Sequence, residues 1–222
     1  MNFASLSAQA LLAAFVLYCA AFLLSVLAIT GKRWSNRDPG EHARRFGWIA
    51  FIVSAVGFAC HVVYFFARWR AAGHIPTSNM YEFLTFLAMM IILAYIIVFL
   101  IYRLPVLGVF ALPVGFIVIA YASVFPHDVQ PLIPSLQSNW LKIHVTTAAA
   151  GEAFFAVGFA SGLMYLLRTA DYRDSSKPAG AERTALELTL FVIVLLIAFI
   201  GSTLGFNAAG YKAQFVKEVT VT

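Results

Sequence analysis

Residues 83–126 read FLTFLAMMIILAYIIVFLIYRLPVLGVFALPVGFIVIAYASVFP, and their single charge is Arg103. Two apolar runs, Phe83 to Tyr102 and Leu104 to Pro126, flank that arginine. Each matches the ~20 residues a helix needs to cross ~30 Å of hydrocarbon. No water satisfies backbone amides there, so such runs must be helices. Neither run alternates polar with apolar residues, which excludes a β-barrel. Only Arg103-Leu104-Pro105 separates them, so a tight helical hairpin is expected.

The same reading extends outward. Met1–Gly31, Phe46–Ala67, Ile143–Leu167 and Leu188–Tyr211 are also free of Lys and Arg. Within them the ionisable residues of note are His61, His144 and Glu152. The expected fold is all-α, a polytopic membrane bundle of six helices at about 8–30, 46–68, 83–102, 104–125, 141–167 and 187–210. Residues 1–222 then form one transmembrane domain, with a tail at 211–222. The first run lacks a basic leader and is too long for a cleavable signal peptide.

Composition agrees. Of 222 residues, 62% are hydrophobic and only 11% charged, against roughly 25% in soluble domains. A soluble enzyme, a disulfide scaffold and a disordered tail are all excluded. The net charge of +5 reads as topology and not as nucleic-acid binding. Ten of the fifteen basic residues fall in the segments after spans one, three and five: Lys32, Arg33, Arg37, Arg44, Arg45, Arg103, Arg168, Arg173, Lys177 and Arg183. Positive residues mark the cytoplasmic side, so both termini are expected outside. Cys19 and Cys60 form no C-x-x-C pair and read as small buried hydrophobes.

Two segments then face out. Ala71–Phe83 contains Gly73-His74-Ile75-Pro76-Thr77-Ser78-Asn79-Met80-Tyr81-Glu82. Pro126–His144 ends in Ser138-Asn139-Trp140-Leu141-Lys142-Ile143-His144. Asn79 with Glu82 three residues on has capping-box spacing, and Ser138 or Asn139 is placed to cap span five. Tyr81 and Trp140 suit an interfacial aromatic belt. His144 follows Trp140 by four residues, so one helix face carries both. An imidazole beside an indole suits haem iron and the porphyrin plane, although a lone histidine near a helix end more often has a plain structural role. His61, inside span two, reads as a metal ligand, a proton-relay group or a helix-to-helix hydrogen-bonding group. Glu152 reads as a partner for His61 or for a backbone group. Gly151, Gly158 and Gly162, interleaved with alanines, suggest close packing and a central place for span five.

These two segments, with Leu204-Gly205-Phe206-Asn207-Ala208-Ala209-Gly210-Tyr211, resemble the System II cytochrome c biogenesis membrane proteins of the CcsA/ResC type. The resemblance covers most of the chain. It implies a subunit of a haem-attachment complex in the bacterial cytoplasmic membrane, with no self-contained catalytic motif. It further implies haem b as cofactor, a ResB-type membrane partner and apocytochrome c as acceptor. By motif position, His144 matches an outward-facing histidine that holds haem, with Trp140 beside it; His61 joins them as a candidate cofactor-binding residue. One departure stands out. The family's tryptophan-rich W-G-x-x-W-x-W-D segment has no counterpart, since no tryptophan follows Trp140. The chain therefore reads as the front portion of the family pattern, from a split gene, a truncated product or a partial chain; in the first case a separate chain carrying that segment would be a partner. The competing readings are a small transporter or channel subunit lined by His61 and Glu152, and a structural subunit that docks a partner through its outer loops.

Overall fold

The computed structural model describes residues 2–30, 39–129, 132, 134, 137–169, 184 and 187–191. The described residues contain helices and no strand. Five helices are defined: α1 Phe3–Thr30, α2 Pro39–Ala72, α3 Met80–Tyr102, α4 Leu107–Ala122 and α5 Asn139–Thr169. Residues 187–191 are helical; the rest of the expected sixth span lies outside the described residues. Residues 1–164 form one compact unit and 165–222 another.

Among the described residues four helices are long and apolar enough to cross a membrane: α1, α2, α3 and α5. α4 is shorter than its apolar run, at 16 residues, because its ends are given to turns. Arg103 closes α3 in the left-handed region, φ 52°, its N–H donating to Phe99 O. Pro105 then follows, and α4 begins only at Leu107. The hairpin expected around Arg103 is present, and its helices interlock where Gly115 meets Ile92.

The tightest packing joins α1 to α2. In α1 the buried positions are Ser7, Leu11, Ala14, Tyr18, Ala21, Ser25 and Ala28, an alternation of four and three residues. α2 carries the same rhythm at Gly47, Ala50, Ser54, Gly57, His61, Tyr64 and Arg68, all buried. A repeat of 3.5 residues keeps one stripe facing the partner helix. Tyr18 lies against Gly57 and His61, while Leu27 lies near His42, so the helices run antiparallel. Small residues let the backbones approach. A Cβ at Gly57 would sit 2.9 Å from the Tyr18 ring, and one at Gly47 would sit 2.5 Å from Pro105. α3 closes the other side of α2 by stacking Phe99 on Phe51, with ring centroids 4.5 Å apart and planes 9° apart.

Among the described residues α5 packs through one face only. Its buried positions are Ala149, Ala153, Val157 and Ala160, and Ala149 meets Phe86 and Met89 of α3. Gly151, Gly158 and Gly162 lie on the other face, where an added Cβ would meet nothing within 4 Å. Only the alanine face packs; the glycine face is open among the described residues.

Replacing Gly57 by Ala forces the Tyr18 ring to move, a small-to-large change expected to cost about 1–3 kcal/mol. Gly151→Ala has free space and should leave stability unchanged or slightly higher. Thermal denaturation of the two purified variants in one detergent checks the contrast.

Candidate functional site

The first loop and the end of α2 are built around two buried ionised side chains. Asn79 caps α3, its Oδ1 accepting the N–H of Glu82 at 2.9 Å. The capping-box reading therefore holds, with one shift. Glu82 reaches back to Ser78, not to the cap residue itself: Oε2 accepts Ser78 N–H at 3.0 Å and Ser78 Oγ–H at 2.8 Å. Its other oxygen, Oε1, accepts Arg68 Nε–H at 3.0 Å.

Arg68 extends this network to the second loop. Nη1 donates to His127 O at 2.7 Å and Nη2 to Asp128 O at 3.1 Å. Both ion-pair side chains are buried, with 5% and 0% exposure. The Tyr81 ring lies under the guanidinium, 5.4 Å from Cζ to centroid, within the range of a cation–π contact. One guanidinium fork thus ties the end of α2, the start of α3 and the segment after α4 into a single clasp. A buried ion pair persists only when hydrogen bonds satisfy its remaining atoms, and here both carboxylate oxygens and three arginine donors are used. From the sequence Arg68 was only a topology charge. The missed signal is its place on the buried stripe, four residues beyond Tyr64 and seven beyond His61.

Below the clasp the same stripe stays polar. Thr85 Oγ1 donates to backbone carbonyls of Tyr81 and Glu82 and lies 2.8 Å from Tyr64 Oη, so the tyrosine is the donor. His61 is fully enclosed. Its Nδ1 is 3.2 Å from Tyr18 Oη, and the Tyr64 ring stands edge-on, 5.6 Å away. Nε2 makes no hydrogen bond, although the Thr85 backbone flanks the ring. His61 thus links α1 to α2. No hydrogen bond joins it to Glu152, which is exposed on α5.

The other expected site residues open α5. Asn139 starts the helix, and its Oδ1 accepts Lys142 Nζ–H at 3.2 Å in place of a backbone N–H. Ser138 contributes its carbonyl to Lys142 N–H at 3.3 Å. Trp140 is 81% exposed, and His144 is exposed on the same face. A cleft of about 80 Å³ joins this turn to the clasp, lined by Ser78 and Ile75 on one side and by Leu141, Lys142 and Val145 on the other. It suits a water or two and is far too small for a porphyrin. Among the described residues no three His, Cys, Asp or Glu side chains gather to hold a metal ion.

Comparison with known proteins settles the family. The family described as cytochrome C assembly protein matches residues 77–209, a stretch that contains the cap of α3, α4 and all of α5. The chain belongs to the cytochrome c assembly family. Among its relatives, the cytochrome c biogenesis protein CcsA of Gloeothece citriformis (strain PCC 7424) is 35% identical over 142 residues, 60% of this chain and 43% of the relative. The CcsA of Prochlorococcus marinus (strain NATL1A) is 31% identical over 179 residues, covering 77% and 55%. That of Chlorella vulgaris is 32% identical over 140 residues, covering 60% and 44%. The chain spans about half the length of the curated relatives it matches. No solved structure matches it. Family membership and the long apolar helices make it a multi-pass membrane protein.

Arg68→Ala leaves the Glu82 carboxylate buried without its cation, which is expected to cost about 3–5 kcal/mol. Arg68→Ala combined with Glu82→Ala should cost less than the sum of the two single changes. A thermal double-mutant cycle in detergent measures that coupling; strictly additive losses would show that the clasp is not an interacting unit.

Proposed function

We propose that this chain is a haem-handling subunit of a System II cytochrome c synthase. It presents haem at the extracytoplasmic membrane face for attachment to apocytochrome c, with a ResB-type membrane protein as partner. The single observation that carries this reading is the exposed pair Trp140 and His144, one turn apart on one face of α5, at the end of the helix that adjoins the clasp. The relatives are named cytochrome c biogenesis proteins, and the distribution of basic residues supports an outward-facing start of α5.

Haem is the substrate here, and its fit to the residues can be tested on the geometry. The His144 ring is exposed, the indole beside it is exposed, and the first glycine beyond, Gly151, has open space where a side chain would stand. A planar tetrapyrrole fits such a face as one axial half-site. A second axial ligand is expected from outside this half-site, in keeping with an exposed imidazole. Cysteine thiols of the acceptor add across the haem vinyl groups to give thioethers, which requires the ring to be held in one orientation. His144 would fix the iron, and Trp140 would pack the ring edge. The clasp would hold the second loop, which leads into α5, against the bundle. Positioning of this kind is a recognised source of rate. His61 has a different part in this reading: it is enclosed between Tyr18 and Tyr64 and serves the bundle as a hydrogen-bonding group.

Membranes from cells making the chain with its ResB-type partner should show a haem absorbance that His144→Ala weakens strongly and Trp140→Ala weakens less. Cytochrome c maturation should fall in parallel, and a reporter fused at residue 75 should be active only outside. Unchanged haem content and maturation in His144→Ala would refute the assignment.

A further inference from the structure

Three arginines share one depth at the boundary opposite the clasp. α2 and α3 meet through Arg68 and Glu82 at one end and through Trp48 and Phe99 at the other, so they run antiparallel. The Trp48 ring stands edge-on to Phe99, with centroids 5.6 Å apart. Arg44 and Arg45 come four and three residues beyond Trp48 on α2, and Arg103 comes four beyond Phe99 on α3. At 1.5 Å per residue these steps are ~6, ~5 and ~6 Å. Pro105 packs on Gly47, which holds the α3–α4 turn against this end of α2. All three arginines are exposed.

Topology alone puts basic residues on this side, but it does not require their arrangement. A cavity of about 310 Å³ opens beside Arg44 and Arg45 and is also lined by Glu41, His42, Phe46 and Trp48. Among the described residues none of the three arginine side chains makes a hydrogen bond or an ion pair. Glu41 precedes Arg45 by four residues and still forms no ion pair with it. His42 is engaged elsewhere, its ring 4.5 Å from that of Phe46 and its Nε2 3.4 Å from Leu27 O. The guanidinium groups are therefore the cations this boundary offers.

Arg103 adds an independent sign. It ends α3 at φ 52° and ψ 41°, and among the described residues it is the one non-glycine residue with positive φ. Glycine is the usual residue at such a helix end, because a side chain there carries a steric cost. An arginine kept where glycine fits more easily points to a use for its side chain.

Forked guanidinium donors match the oxygens of a phosphate. This boundary lies where phospholipid headgroups lie, beside the start of the apolar run at Phe46. Trp48, 37% exposed, stands one turn toward the hydrocarbon, at the level where an indole meets the glycerol region. A zwitterionic headgroup brings its own cation to the phosphate, whereas an anionic lipid leaves that charge to the protein. We propose that Arg44, Arg45 and Arg103 bind the phosphodiester of an anionic glycerophospholipid, with its glycerol against Trp48. The site is separate from the haem reading and stands or falls without it.

The test uses the purified 222-residue chain in a neutral detergent. Dioleoylphosphatidylglycerol should raise its melting temperature, and dioleoylphosphatidylcholine and inorganic phosphate should not. Native mass spectrometry should show phosphatidylglycerol retained, and Arg44→Gln with Arg45→Gln should lower that retention by on the order of tenfold or more. Arg70→Gln, a charge lost at the other boundary, should leave it unchanged. Arg103→Gly should melt no lower than wild type without lipid, since glycine relieves the backbone, and yet gain less from phosphatidylglycerol. Misfolding cannot produce that combination. Equal retention in wild type and the double variant would overturn the proposal, as would an equal loss in Arg70→Gln. A rise with inorganic phosphate matching that with the lipid would also overturn it, by showing a plain anion site. So would absence of lipid from the wild type together with lower melting in Asp38→Asn, which would give the arginines to the chain's own carboxylate.

Discussion

A guanidinium and a carboxylate withdrawn from water hold together every part of the structure that bears on function. Arg68 and Glu82 are 3.0 Å apart, and each is useful because of what its other atoms do. Glu82 organises the cap of α3 through Ser78, and Arg68 takes the two carbonyls that follow α4. Arg68 fixes the start of the second loop at His127 and Asp128, while α5, which carries Trp140 and His144, packs through Ala149, Ala153, Val157 and Ala160. Hydrophobic packing alone would not fix that loop, because Pro126, His127 and Asp128 are exposed and bury little apolar surface. The desolvation of the ion pair is offset by complete hydrogen bonding, and the result is specificity of geometry.

The bundle divides its tasks between two kinds of surface. α1 and α2 interlock along matched stripes at a 3.5-residue rhythm, with small residues where the other helix presents a ring. α5 reverses that pattern: alanines face inward, while glycines, His144 and Trp140 face away. The same residue type therefore serves two ends. Gly57 is filled by Tyr18, whereas Gly151, Gly158 and Gly162 are left open among the described residues.

Most of the fold was legible in the sequence because hydrocarbon leaves few choices. Long uncharged runs had to be helices, Pro105 had to follow a turn, and Asn79 with Glu82 had to cap α3. The matching stripes Ser7–Ala28 and Gly47–Arg68 were also written in the sequence, yet in runs this apolar a stripe of Ala, Ser and Gly hardly stands out. Reading it would have moved Arg68 from the surface into the core. Composition does not say which face a glycine is on, so the sequence could not tell that, among the described residues, the alanine face of α5 is the one that packs. At the site, the sequence placed His144 and Trp140 on one face, and the structure leaves both exposed there. It could not say that Glu82 would be shared between a cap and a cation, since that cation lies 14 residues earlier on another helix. Nor could it say that His61 would be enclosed by Tyr18.

The central claim is that the His144 imidazole grips the haem iron at the membrane face. Chemical rescue tests it most directly. His144→Gly, in membranes that also contain the partner, should lose the haem absorbance and regain it when imidazole is added to the medium, because the free base can enter the vacated axial position. A variant that keeps the wild-type spectrum without imidazole would contradict the account.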